Sequence, residues 1–85
     1  MAEQTFTFDD LKETLVNRIG IPESRVYHDP GLTFEDMGLD SLALVEVQLD
    51  IQQRYGFIIP DEDGQNITTV GEAIDYVNRR LAEKG

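Results

Sequence analysis

In the stretch DMGLDSLALVEV, Asp36 to Val47, Ser41 stands between an aspartate and a leucine at the head of a helix-forming run, with no histidine, lysine or cysteine beside it. A nucleophilic serine needs a general base within hydrogen-bonding reach and an oxyanion hole, and its turn is usually framed by glycines as G-x-S-x-G. GLDSLAL does not fit that frame, and the single histidine, His28, lies beside Asp29 in another segment, where it reads as a surface residue without a catalytic task. Ser41 is therefore either acted on by something else or is a capping residue. Asp40 fills the N-cap position well, which leaves Ser41 at N1 with its hydroxyl free. A phosphate ester there would meet unsatisfied backbone N–H groups and the positive end of the helix dipole, so covalent phosphoryl modification of Ser41 is physically reasonable.

The helix that must present Ser41 has two apolar stripes. With Leu42 at zero and about 100° per residue, Leu44, Val47, Ile51 and Tyr55 fall between about 140° and 220°, the expected core face. Leu42, Val45 and Leu49 fall on the opposite side, between about 300° and 0°, with Glu46 and Asp50 on one flank and Gln48 and Gln52 on the other. A small helical domain does not easily bury both stripes. Either a loop folds over the second one, or Leu42, Val45 and Leu49 form a docking surface rimmed by Glu46 and Asp50.

Around this helix the periodicity predicts an all-α domain. A first helix over about 8–19 starts at Thr7, with Asp10 three residues on and Phe6 and Leu11 placed as a hydrophobic staple, and ends at Gly20 and Pro22. From Ile21 to Leu39 the chain holds Pro22, Pro30, Gly31 and Gly38 and reads as a long loop, with Val26, Leu32, Phe34, Met37 and Leu39 as its candidate anchors. The serine helix spans about 41–55 and stops at Gly56. A short turn follows at about 61–66, then a last helix over about 70–82, with Thr69 and Glu72 as its capping box and Arg79, Arg80 and Lys84 near its C-terminal end. GFIIP is the one strand-like stretch, too short and isolated to make a sheet. The expectation is a single domain over 1–85, a three-to-four-helix bundle with a long loop between its first two main helices.

The 85 residues leave room for one domain with a thin core and none for a deep catalytic cleft. Seventeen acidic against seven basic residues give a net charge of -10, which disfavours nucleic acid and anionic membrane surfaces and favours basic protein surfaces, or else serves solubility alone. Cysteine is absent, so any thiol chemistry must be supplied from outside the chain. The N-terminal MAEQTFTFDDL has neither a basic n-region nor an apolar h-region, and no apolar run approaches a membrane span, which points to the cytoplasm. NIT at Asn66 to Thr68 matches a glycosylation sequon by chance.

Three blocks, MGLDSLALVE, YGFIIPDED and ITTVGEAIDYVN, in this order and spacing, resemble the acyl carrier proteins from the first helix to Leu81. The resemblance implies that a phosphopantetheinyl transferase moves 4′-phosphopantetheine from coenzyme A onto Ser41. The arm would bring the missing thiol, whose thioesters suit acyl transfer and carbon–carbon condensation, while partner enzymes supply the catalysis and tethering raises the effective concentration. It further implies that Asp40, Leu42, Val45, Glu46, Leu49 and Asp50 recognise partners, and that a growing chain can slip between helices lined by Leu44, Val47, Tyr55, Ile59, Ile67 and Ile74.

Within the family, Ala43 stands where fatty-acid carriers keep an acid, and Gln48, Gln52 and Gln53 replace glutamates. DSLALVE followed by RYGFIIPD is more similar to the discrete carriers of bacterial aromatic polyketide synthases. The implied partners are a ketosynthase with its chain-length factor, a malonyl transferase, and a ketoreductase, cyclase or aromatase, acting on a monomer. Fatty-acid synthesis is the alternative pathway, and a carrier of non-ribosomal peptide synthesis fits less well without a GG(H/D)S context. From other classes come an acidic helical interaction module in which Ser41 is never modified, and a calcium loop in DEDGQNITTVGE. The loop would use Asp61, Asp63, Gln65 and Glu72, but it has Asn66 where the sharp turn needs glycine.

Overall fold

A computed structural model describes residues 5–84, with the side chain of Lys84 left out. The reading of Met1 to Gln4 as free of a leader segment lies outside the described residues, as does Gly85. Among those described, the chain forms four α-helices: α1 (Phe8–Glu13), α2 (Ser41–Tyr55), α3 (Asp61–Asn66) and α4 (Val70–Lys84). The sole β-type pairing among them is an isolated antiparallel bridge between Thr33 and Thr69.

Each main helix begins where short polar side chains can satisfy its first N–H groups. At α1 the Asp10 amide donates to Thr7 Oγ1 at 3.2 Å and the Thr7 amide donates back to Asp10 Oδ2 at 3.0 Å. At α4 the Glu72 amide donates to Thr69 Oγ1 and the Thr69 amide to Glu72 Oε1, both at 3.1 Å. Both are reciprocal capping boxes. The first helix departs from a uniform α-helix: after Glu13 it widens into a π-helical stretch, Thr14–Ile19, and stops at Gly20.

The core gathers Leu11 and Leu15 from the first helix, Val47 and Ile51 from α2, and Val70, Ala73, Val77 and Leu81 from α4. Full burial of a leucine or valine side chain contributes about 1.5–3 kcal/mol. Without the loop anchors this core would be open on one side. Val26, Leu32, Phe34, Met37 and Leu39 are all buried in it, so the long loop between α1 and α2 is a packed element in its own right. It contains one 3-10 turn, Glu23–Arg25.

Its backbone is laced to the head of α4. Val70 N–H donates to Leu32 O at 2.9 Å, Gly71 N–H to Pro30 O at 3.0 Å, and Phe34 N–H to Thr68 O at 3.1 Å. Helix-initial donors that would otherwise be orphaned are thus satisfied by loop carbonyls. The approach is so close that a methyl at Gly71 would lie 3.0 Å from Pro30. Beyond Phe34 the chain turns back on itself through Gly38, whose φ of +84° favours glycine, and delivers Asp40 to the start of α2.

Candidate functional site: the head and outer face of α2

Asp40 has extended backbone, and its Oδ1 accepts the Ala43 amide at 2.8 Å. That is N-cap geometry, and it makes Ser41 the first helical residue. Ser41 is exposed, at the end of the molecule where the first turn of α2 leaves backbone N–H groups pointing outward. No catalytic base stands with it: the imidazole of His28 is stacked on Phe8, ring centroids 4.6 Å apart, in the loop beside α1. The place suits a hydroxyl that another protein must reach, and an anionic ester on it would face the positive end of a 15-residue helix.

Below Ser41 the outer stripe is uncovered. Leu42 is 68% exposed, Val45 48% and Leu49 47%, with Glu46 exposed beside them. The loop puts its anchors into the core and leaves this face bare. Asp50 departs from the expected surface. Its side chain is only 10% exposed, with Arg18 Nε at 3.2 Å and Arg54 at 3.8 Å. The hydroxyl of the fully buried Thr14 lies 3.3 Å from Asp50 Oδ2 and accepts from Arg54 at 3.0 Å. The reason is tertiary: the π-helical stretch packs on this half of α2 and brings Thr14 and Arg18 to the carboxylate. Asp50 fastens the helices together and offers no free charge outward.

On the inner side, a cavity of about 30 Å³ lies between α2, α4 and the residues flanking α3, Ile59 and Ile67. Leu44, Val47, Ile59 and Ile67, expected as chain-lining residues, meet there. Tyr55 and Ile74, expected with them, do not. Tyr55 packs edge-on against Phe6 at 5.7 Å, at the far end of α2. Ile74 is turned about 100° away from Ala73, off the face that Ala73, Tyr76 and Val77 present to the cavity. The sequence reasoning missed Phe34, Ile51 and those three α4 residues as lining, and it missed Gln48. The signal for Gln48 was its position at about 240° on the wheel, next to the core stripe.

The short helix α3 packs beside this cavity, against Gln48 of α2. Gly64 packs so tightly on α2 that a methyl there would lie 2.6 Å from Gln48 Nε2. The Tyr76 hydroxyl donates to Asp63 Oδ2 at 2.7 Å and accepts from Arg80 at 2.8 Å, and partial burial followed by that aspartate raises its pKa above the usual tyrosine value. Arg80 also donates to Ile58 O at 3.0 Å, and the Ile59 amide donates to Gln52 Oε1 at 2.7 Å, which pins the segment leading into α3.

The calcium-loop reading fails on this geometry. Asp61–Asn66 is helical, Asp63 is bonded to Tyr76, and Glu72 caps α4. Among the described residues no group of three or more acidic, histidine or cysteine side chains could hold a metal ion.

The family model "Phosphopantetheine attachment site" matches residues 9–77. The apo actinorhodin acyl carrier protein from S. coelicolor is 38% identical, with a TM-score of 0.84 over 96% of this chain and 98% of that one. The holo form of that carrier aligns at 36% identity and a TM-score of 0.79, over 99% of this chain and 100% of its own. A 3,5-dioxohexyl form, a triketide mimic from the same Streptomyces coelicolor synthase, aligns at 37% and 0.83, with coverage of 99% and 100%. The chain belongs to the phosphopantetheine-attachment family, and within it to the acyl carrier proteins. It is similar to the carriers of the actinorhodin polyketide synthase, and its fold is that of a carrier protein rather than an enzyme. Among the described residues no helix is long and apolar enough to cross a membrane.

Proposed function

We propose that Ser41 is the attachment residue for 4′-phosphopantetheine and that the protein carries polyketide intermediates of a discrete, multi-enzyme synthase. The observation that carries this reading is an exposed serine at the first position of α2, relieved of capping by Asp40, at the head of a bare apolar stripe. When bound, the arm supplies a terminal thiol on which acyl groups ride. The chain's own residues do the rest. The backbone N–H groups of the first turn of α2 stabilise the phosphodiester anion, and Asp40 holds that turn rigid.

Leu42, Val45 and Leu49 supply apolar contact to partner enzymes, and Glu46 with Asp40 supplies charge toward basic residues on them. Such surfaces give fast, reversible docking, which a shuttle between enzymes requires. The partners are a phosphopantetheinyl transferase, a ketosynthase with its chain-length factor, a malonyl transferase, and a ketoreductase, cyclase or aromatase. The pathway assignment draws on the likeness to the actinorhodin carriers.

The test is intact mass before and after incubation with coenzyme A, Mg²⁺ and a broad-specificity phosphopantetheinyl transferase, with Ser41→Ala alongside. A gain of one phosphopantetheine in the wild type alone is expected. No gain in a folded wild-type sample would overturn the reading and leave α2 as an unmodified interaction face.

A further inference from the structure

Most of the described basic side chains already have a partner. Lys12 pairs with Glu23, Arg18 and Arg54 hold Asp50, Arg80 pairs with Glu83 and bonds Tyr76, and Arg79 lies over the Tyr76 ring. Arg25 is the exception: among the described residues its guanidinium forms no ion pair, hydrogen bond or ring contact. In a chain of net charge -10 it is a cation open to an anion from outside. Its place is fixed at both ends. The Arg25 amide donates to Pro22 O at 2.9 Å within the Glu23–Arg25 turn, and the next residue, Val26, is buried. The exposed side chain reaches across to Gly38, where a methyl would lie 3.0 Å from Arg25 Nη1. Gly38 is tied down in turn, its amide donating to Glu35 O at 2.9 Å and the Leu39 amide to Phe34 O at 3.1 Å. Ser41 follows three residues later, at most about 11 Å of extended chain away.

Resting on the carrier reading above, we propose that Arg25 is a positioning residue: its guanidinium pairs with the phosphodiester that joins the arm to Ser41 and holds the root of the arm beside the contact of Arg25 with Gly38. A guanidinium suits this task better than an ammonium, since its planar fork offers parallel N–H donors to phosphate oxygens and is weakly hydrated. The charged neighbours of Gly38 along the chain, Glu35, Asp36 and Asp40, are all acidic and repel a phosphodiester, and Arg25 is the cation that offsets them. Both members of the pair are in water, so it is weak, reversible and screened by salt. It biases where the arm starts without locking the arm down. A root drawn toward the loop leaves Leu42, Val45 and Leu49 clear for a partner enzyme.

The test uses the full chain with isotope-labelled arginine, as apo protein and, once intact mass verifies loading at Ser41, as holo protein. In mildly acidic buffer, where guanidinium protons exchange slowly, the Arg25 Nε–H signal should shift on loading at about 0.01 M salt. It should return toward its apo position at about 1 M, as the screening length falls from about 30 Å to about 3 Å. Arg79, which is exposed on α4 and also lacks a carboxylate partner among the described residues, should not move. At low salt the phosphorus NMR signal of the arm should differ between wild type and Arg25→Gln, with Arg25→Lys in between. The melting temperatures of the three apo proteins should agree, since the guanidinium has no partner to lose. An Arg25 signal that ignores loading, or a phosphorus signal identical in wild type and Arg25→Gln, overturns the proposal with the carrier reading intact. So does a shift that persists in full at about 1 M salt, which would report a change in the fold and not an ion pair. A folded wild type that gains no arm overturns both.

Discussion

Asp40 Oδ1 accepts the Ala43 amide at 2.8 Å, and through this one bond the task of capping α2 is taken from Ser41. The two neighbours should therefore respond differently to truncation. Asp40→Ala is expected to cost about 1 kcal/mol of stability, as removal of a good N-cap usually does. Ser41→Ala should stay within about 0.5 kcal/mol of wild type, the usual range for a surface change that breaks no special contact. Urea denaturation of both variants checks this. A loss at Ser41 as large as that at Asp40 would mean that the serine hydroxyl shares the cap and is not free for an incoming group.

Features like this cap are legible in the sequence because they are local. Thr7 with Asp10, Asp40, and Thr69 with Glu72 each place a short polar side chain within three residues of the amide it serves, so residue type and spacing decide the outcome. The loop anchors were legible by type, since five apolar residues in a stretch without a period must go somewhere dry. What the sequence could not carry is which neighbour each helix face meets. On the wheel Asp50 sits about 40° from Glu46, yet one carboxylate is held by Arg18 and Arg54 and the other is in water. That difference comes from the π-helical stretch of the first helix, which widens where a uniform helix was expected. Tyr55 and Gln48 were misjudged for the same reason. Tyr55 is drawn to Phe6 near the N-terminal end of the chain, and Gln48 is covered by a six-residue helix whose glycine lets it approach.

The contrast between Glu46 and Asp50 separates partner docking from folding. Glu46→Lys and Leu49→Asp should leave the melting temperature nearly unchanged and lower kcat/KM for phosphopantetheine transfer by roughly tenfold or more, since each reverses a contact on a face that partners must approach. Asp50→Ala should do the reverse. It strands the Arg54 and Thr14 partners of a mostly buried carboxylate, a loss of about 1–3 kcal/mol. Transfer kinetics measured well below the melting point would then be close to wild type. A kinetic defect confined to Asp50→Ala would reverse these assignments.

The helical state of Asp61–Asn66 also gives a calcium prediction. Three acids at Asp61, Glu62 and Asp63 favour the N-terminal end of a helix, and Asp63 is engaged by Tyr76, so they do not converge on a common point as loop ligands must. Titration with millimolar calcium chloride should leave the amide signals of 61–72 where they are. Saturable shifts in that segment would show that α3 unwinds to bind the ion.

Glu72 carries the chain's clearest pH signature. Its Oε1 accepts the Thr68 amide and hydroxyl, both at 2.9 Å, and the Thr69 amide at 3.1 Å. These bonds, the Thr68 amide first, hold its pKa below the ordinary glutamate value. A group whose folded pKa lies below its unfolded pKa adds stability above the unfolded value, and that stability is lost as pH falls through the folded one. The contribution of Glu72 should therefore be complete at neutral pH and disappear on the acid side of the usual carboxylate range. Asp63, Asp75 and Arg79 border the same cleft, so the wild-type curve alone is not diagnostic. Glu72→Gln keeps an acceptor oxygen and removes the proton equilibrium. The variant should be less stable than wild type at pH 7, and the gap in melting temperature should close toward about pH 3, below the normal glutamate range. A gap that stays constant with pH would mean that the carboxylate's charge contributes nothing, and that Glu72 fixes the start of α4 through geometry alone.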